Sequence, residues 1–363
     1  MRYVINNSVK IPAYIQLYEQ VRDDIIKEVY RYNTKLPSKR LVAEELGVST
    51  VTVEHAYALL SDEGYIEPRE RSGYFVIFRI ADYFTSSVDM HKASYKYEHQ
   101  SESSYTFPFS VFSKAVRKVI SDYGNEILNK SENRGCLELR QGISDYLFRS
   151  RGIKASVEQI IIGSGAEYLY GLIVELLGRE LVFALEKPSY EKIEQVYRAS
   201  GVRCELLPLC NDGIDSSALV KTKAQVLHIS PYRSFPSGIT ASASKRHEYI
   251  RWSSTLNRYI IEDDFESEFS VSKKPEETLF ATSDYGNVIY MNTFSKTISP
   301  ALRVGYMVIP ETLAKRFEER LGFYSCTVST FEQLVLCELI TGGDFERHVN
   351  RIRRKKRKEM NGG

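Results

Sequence analysis

One lysine in this chain stands among small, hydroxylated and apolar residues. Lys296 lies in Tyr290-Met-Asn-Thr293-Phe-Ser295-Lys296-Thr, and Arg303 follows seven residues later. A lysine amine becomes a nucleophile when desolvation or a neighbouring cation lowers its pKa. An arginine offers a permanent charge on a planar fork that suits a phosphate. Upstream, Ile260-Ile261-Glu262-Asp263-Asp264-Phe265 sets carboxylates at the end of an apolar, strand-like run. Strand-end aspartate, amine and phosphate-binding arginine are the parts that hold pyridoxal 5′-phosphate (PLP) as a Schiff base. An isolated Phe-Ser-Lys is more often a surface turn, so the surroundings must carry this reading.

The chain has 363 residues, enough for two or three domains with a sizeable core, and its apolar and charged fractions are those of a globular protein. A net charge of +2 says little about partners, although Arg351 to Lys358 is almost entirely basic. Five scattered cysteines without a CxxC pair argue against a disulfide framework or a zinc site. The polar N-terminus and the lack of a long apolar run lead us to expect no membrane span and a cytoplasmic location.

Stepping along from the N-terminus, apolar residues at Ile15, Tyr18, Val21, Ile25, Ile26 and Val29 have helical spacing over 11–30. Ser38 can cap a short helix over 39–46, which Gly47 ends in a left-handed turn. A second helix runs from about Ser49 to Gly64, and residues 65–77 read as a β-hairpin with basic residues near a glycine-containing tip. Two short helices joined by such a turn form a helix-turn-helix, whose second helix enters the major groove N-terminus first. The segment resembles the GntR-type winged helix in its Leu-Pro-Ser-x-Arg, Val-Ser-x-x-Thr-Val and Gly-x-Phe-Val patterns. That resemblance implies contacts to double-stranded DNA from Ser38, Arg40, Ser49, Thr50, Thr52 and the wing at Gly73. The family usually carries arginine where this chain has Thr50. Residues 1–80 are close to charge-neutral, so a dimer reading two half-sites is expected.

Residues 79–104 lose periodicity and read as a linker between a 1–78 DNA-binding domain and a 105–363 large domain. His91 and His99 in it are expected to be solvated. From Tyr105, helix-like segments at 112–123, 137–151 and 168–178 alternate with short apolar runs at 159–162, 181–185, 226–229, 259–262 and 288–291. This is an α/β pattern with a mainly parallel sheet, whose ligands sit beyond the carboxyl ends of the strands.

Motif by motif, the large domain resembles the fold-type I aminotransferases, and with the winged helix ahead of it the chain resembles the MocR-type regulators. The resemblance implies that Gly165, Ala166 and Glu167 open a phosphate-binding helix, with Glu167 where the family usually has glutamine. It implies that Tyr190 stacks on the cofactor ring and Asp263 pairs with the ring nitrogen. It further implies that Thr293, Ser295 and Arg303 hold the phosphate and that Lys296 forms the Schiff base. Phe235 takes the place of the aminotransferase asparagine. Phe265 replaces a tyrosine that donates to the cofactor's ring oxygen, and Glu262 and Asp264 are expected to be structural. Around Leu128-Asn129-Lys130 a tyrosine that the family supplies to the partner subunit is missing, with Lys130 as a substitute charge.

The family continues into a small C-terminal domain, which this chain is expected to lack; its basic stretch reads either as the opening of that domain or as a nucleic-acid-binding tail. The expected function is a DNA-binding homodimer that senses PLP or an amino compound acting as effector. Two alternatives stay open: a repressor whose large domain is only a dimerisation scaffold, and a working aminotransferase.

Overall fold

A computed structural model describes residues 3–6, 11–79, 107–255, 257–265, 267–270 and 277–361. Nearly all of the expected linker, with His91 and His99, lies outside the described residues. The chain divides into two compact units, Met1–His99 and Gln100–Gly363.

The first unit contains helices α1 (Ala13–Ile26), α2 (Lys39–Leu46) and α3 (Thr50–Asp62), then strands β1 (Ile66–Arg69) and β2 (Gly73–Val76). α1 is shorter than its periodicity predicts, because Pro12 starts it and Glu28, just past its end, has φ 57°. Ser38 Oγ accepts the Leu41 N–H at 3.3 Å, and Gly47 ends α2 at φ 64°. Ser49 Oγ accepts the Thr52 N–H at 3.1 Å and so caps α3. Leu17, Val21 and Ile25 of α1 pack with Val42, Val53, Ala56 and Leu60, and Ile66 and Val76 of the hairpin close this small core. β1 and β2 pair antiparallel, with Arg69 opposite Gly73 at the tip.

The second unit begins with helices α4 (Phe109–Tyr123) and α5 (Leu137–Arg151), followed by β3 (Ile160–Gly163), α6 (Ala166–Leu177), β4 (Val182–Lys187) and α7 (Glu191–Ala199). β5 (Arg203–Cys210), β6 (Gly213–Ile214), α8 (Ser216–Lys221), β7 (Val226–Ile229), α9 (Ala243–Ser253) and β8 (Tyr259–Asp263) come next. The chain then forms α10 (Leu279–Thr282), β9 (Val288–Thr293), β10 (Gly305–Val308), α11 (Glu311–Leu321), α12 (Thr330–Thr341) and α13 (Asp344–Asn361). Among the described residues the strands make an eight-stranded sheet in the order β3-β10-β9-β8-β7-β4-β5-β6. β10 and β6 are antiparallel to their neighbours, and the remaining pairs are parallel. The mainly parallel sheet expected from the sequence is therefore present.

Successive strand residues point to opposite faces. Ile160, Ile162, Tyr290, Tyr306 and Val308 meet residues of α4, α5, α12 and α13 on one face. Ile161, Ile289, Met291 and Met307 meet residues of α6, α7 and α11 on the other. The basic run Arg351–Lys358 lies within α13. Its inner side is docked: Ile352 is buried and Arg353 Nε donates to the Glu268 carbonyl at 2.6 Å, while Arg351, Arg354, Lys355, Arg357 and Lys358 are exposed. Among the described residues no helix is long and apolar enough to cross a membrane.

Candidate cofactor pocket and nucleic-acid interface

Because β3, β4, β7, β8 and β9 run the same way, their carboxyl ends share one edge of the sheet. A cavity of about 360 Å³ opens there. Asp263 ends β8 and Thr293 ends β9; Ser295 and Lys296 follow Thr293 directly, and Arg303 stands just ahead of β10. Ala166 and Glu167 open α6 and Tyr190 caps α7. All eight line the cavity. Gly165 backs it: at φ 88°, a Cβ on this residue would lie 3.3 Å from the Arg303 guanidinium.

At the inner end, Asp263 is only 4% exposed. Its Oδ2 accepts the Tyr170 hydroxyl at 2.6 Å, and His228 Nε2 lies 3.4 Å from the same oxygen. The His228 Nε2 contact is at ion-pair distance but outside hydrogen-bond geometry, so that nitrogen has no hydrogen-bond partner among the described residues. His228 Nδ1 is 2.7 Å from the Tyr197 hydroxyl. Burial, reinforced by the Asp263 charge, pushes both phenols well above the usual tyrosine pKa and keeps them protonated. Asp263 Oδ1 is buried without a hydrogen-bond partner among the described residues. Glu186, at the end of β4, accepts the Ser234 hydroxyl at 2.6 Å, and burial pushes its carboxyl up to about 7.

At the outer end the surroundings are wetter. Arg303 Nη2 donates to Glu167 Oε2 at 3.0 Å, and Lys192 Nζ donates to Glu167 Oε1 at 3.2 Å. Ser295 Oγ donates to the Leu302 carbonyl at 3.3 Å. Tyr190 and Phe235 meet edge to face at 6.0 Å. Lys296 is exposed rather than buried, counter to the desolvation that a nucleophilic amine calls for. The physical reason is local: Phe294 and Thr297 on either side are anchored in the interior, and the turn between them faces outward.

Glu262 accepts the Leu279 and Phe280 N–H groups at 2.8 and 2.9 Å and so caps α10. Asp264 pairs with Arg151 at 2.5 Å and accepts the Tyr290 hydroxyl at 2.7 Å. Both carboxylates hold the framework, while Phe265 lines the cavity with a ring that has no donor. Lys130 is exposed and is not among the residues that line the cavity. Sequence reasoning missed Tyr170, Tyr197, His228, Glu186 and Lys192. Each sits far along the chain from Asp263 or Glu167 and reads as a core or surface residue. His228, a histidine inside a short apolar strand, was the available signal.

In the first unit, Arg40 in the first turn of α2, Thr50 at the start of α3 and Gly73 at the hairpin tip are exposed. Ser38 and Ser49 spend a lone pair on their caps, and Ser49 Oγ and Thr52 Oγ1 are 2.8 Å apart. Lys39 Nζ pairs with Glu54 Oε1 at 2.7 Å, tying α2 to α3. Gly73, at φ 103°, lets the tip turn. Val51 is exposed at the N-terminal end of α3, a position not singled out by sequence.

The profile of bacterial regulatory proteins of the gntR family matches residues 13–76, and that of aminotransferase class I and II matches residues 98–360. The HTH-type transcriptional regulator YdeL of Bacillus subtilis is 31% identical over 98% of this chain and 79% of its own length. This chain belongs to that family of HTH-type regulators. The probable rhizopine catabolism regulatory protein MocR of Rhizobium meliloti is 27% identical over 97% of the regulator and 76% of its own length. Among solved structures, Pyrococcus horikoshii kynurenine aminotransferase in complex with PMP superposes with a TM-score of 0.62 at 26% identity. That match covers 68% of the regulator, which spans 64% of the aminotransferase's length.

Proposed function

We propose that this regulator binds PLP in the pocket beyond the sheet, with Lys296 as the covalent anchor, and that ligand occupancy biases DNA binding. One observation carries the reading. Lys296, Arg303 and Asp263 converge on a single cavity, and a buried Asp263 oxygen lacks a donor among the described residues. An unsatisfied buried carboxylate oxygen is costly, and a protonated ring nitrogen is a donor of the right kind. When bound, PLP supplies an aldehyde that takes up a primary amine and a ring that draws electrons.

The chain's own residues then divide the work. Asp263 would accept from the ring nitrogen, while the Tyr170 hydroxyl donates to its other oxygen at 2.6 Å. The Gly165 N–H already donates to the Gly163 carbonyl at 2.8 Å, so this glycine would serve by letting the phosphate come close. The Ala166 and Glu167 N–H groups that open α6, the Thr293 and Ser295 hydroxyls and Arg303 would hold the phosphate. Tyr190 would wall the ring, and the Lys296 amine would take the aldehyde. An effector carrying a primary amine would compete with Lys296. It regulates DNA binding only if it favours one arrangement of the homodimer over another. In the first unit Arg40 and the wing would meet phosphates, and the start of α3, with Ser49, Thr50 and Thr52, would enter the major groove. Turnover as an aminotransferase is a weaker reading, because Phe265 offers no hydrogen bond to the cofactor.

One observation favours a second reading, in which the large unit is only a dimerisation scaffold: Glu167 already engages Arg303. Absorbance separates the two. Purified regulator with PLP should develop a near-visible band that dialysis does not remove and that Lys296→Ala lacks. A protein that takes up no PLP would refute the proposal and leave the scaffold.

A further inference from the structure

Two cations face the first turn of α6, and one carboxylate lies between them. Glu167 accepts from Arg303 at 3.0 Å through one oxygen and from Lys192 at 3.2 Å through the other. Lys192 belongs to α7, which packs beside α6 through Leu169, Ile173, Ile193 and Tyr197, and Arg303 stands just ahead of β10, whose Met307 joins the same core. Glu167 also stands in the first turn of α6, where the N-terminal end of the helix dipole favours a negative charge. The chain therefore supplies its own anion at the place where charge complementarity invites a phosphate.

Resting on the PLP reading above, we propose that Glu167 is an internal competitor for the phosphate site, with Lys192 as its alternative partner. Arg303 binds either the Glu167 carboxylate or an incoming phosphate monoester. When a phosphate takes Arg303, the Glu167 carboxylate keeps its bond to Lys192, which screens it from the new charge. The side chains of Arg303, Glu167 and Lys192 are 55%, 38% and 55% exposed. Pairs so open to water are weak, so the contact tunes affinity without blocking the site. The competition concerns only ligands that carry the phosphate. Pyridoxal, which lacks it, is indifferent to Glu167.

The test is a four-protein cycle on the full chain: wild type, Glu167→Gln, Lys192→Met and the double variant. Each is titrated with PLP, followed by absorbance, and then with inorganic phosphate as competitor. Glu167→Gln should bind PLP about three- to tenfold more tightly and inorganic phosphate more tightly too, with pyridoxal unchanged. Lys192→Met should weaken PLP binding by about threefold in the wild-type background and have no effect beside Glu167→Gln. Equal PLP affinity in wild type and Glu167→Gln overturns the inference and leaves the PLP reading standing. Equal weakening by Lys192→Met in both backgrounds also overturns it, making Lys192 a direct phosphate ligand. Uptake by neither wild type nor Glu167→Gln overturns both.

Discussion

The residues around Asp263 make a crowded acidic interior, and their chemistry has a consequence for stability. Glu268 is buried; its Oε1 accepts the Asn292 amide at 2.6 Å and its Oε2 has no partner among the described residues. Burial first, then the neighbouring Asp264 charge, pushes its carboxyl from the ordinary 4.5 up to about 7, against the pull of Arg151. A carboxyl whose pKa rises on folding contributes stability that is complete below about 4.5 and is lost as pH climbs through about 7. Glu268→Gln keeps the acceptor and cannot ionise. Its stability relative to wild type should therefore rise by about 1–3 kcal/mol between pH 5 and pH 8. Denaturant midpoints of the two proteins at both pH values measure this, and parallel pH profiles would show that Glu268 does not titrate in this range. None of this was visible in the sequence. Glu268 follows the acidic Glu262-Asp263-Asp264 run closely, but only the fold turns it inward against Asn292. That Lys296, Asp263 and Arg303 come to one cavity was legible from their residue types and from the strand-like runs over 259–262 and 288–291 that precede them. The Tyr197–His228–Asp263 contacts were not, since their partners come from helices and strands far apart in the chain.

Elements with strong terminal signals were the easiest to read. α2 and α5 fall where the sequence puts them, each ending on a glycine in the left-handed region. β10, β5 and β6 escaped notice for different reasons. β10 is four residues long and follows the Lys296 loop, so its apolar run reads as an extension of that loop. β5 carries Glu205 and Pro208, and β6 has only two residues. In the reader unit the caps and the exposed cations separate stability from binding. Ser49→Ala removes the acceptor for the Thr52 N–H and should cost the unit about 1 kcal/mol of stability, with weaker operator binding as a consequence. Arg40 is exposed, so Arg40→Ala should leave stability unchanged within about 0.5 kcal/mol. It should instead weaken operator binding and lower the slope of log K against log salt by about 1. Thermal melts paired with a salt series distinguish the two. A destabilised Arg40→Ala, or one with full operator affinity, would contradict the assignment of Arg40 to a phosphate.

At the scale of the whole molecule, charge sets the terms on which this regulator meets DNA. The chain carries a net charge of only +2, and much of its basic character is gathered on α13 in the second unit. A single reader of this kind neutralises few phosphates and should bind one half-site weakly, with a shallow salt dependence. In the proposed homodimer affinity would come from joining two readers, and joining helps only if both recognition helices reach their grooves together. That condition is geometric. Two readers on one face of the duplex require half-sites about 10–10.5 base pairs apart or a multiple of that spacing. Inserting about five base pairs between the half-sites turns one of them to the opposite face. The full chain should then lose at least about tenfold in affinity, approaching its affinity for a single half-site. Inserting a full turn should restore much of the loss. Mobility shifts with the three spacings, at one fixed salt concentration, give the comparison. If affinity is indifferent to the half-turn insertion, either the readers are not held in a fixed dimer or one reader suffices, and the pairing of half-sites has to be abandoned.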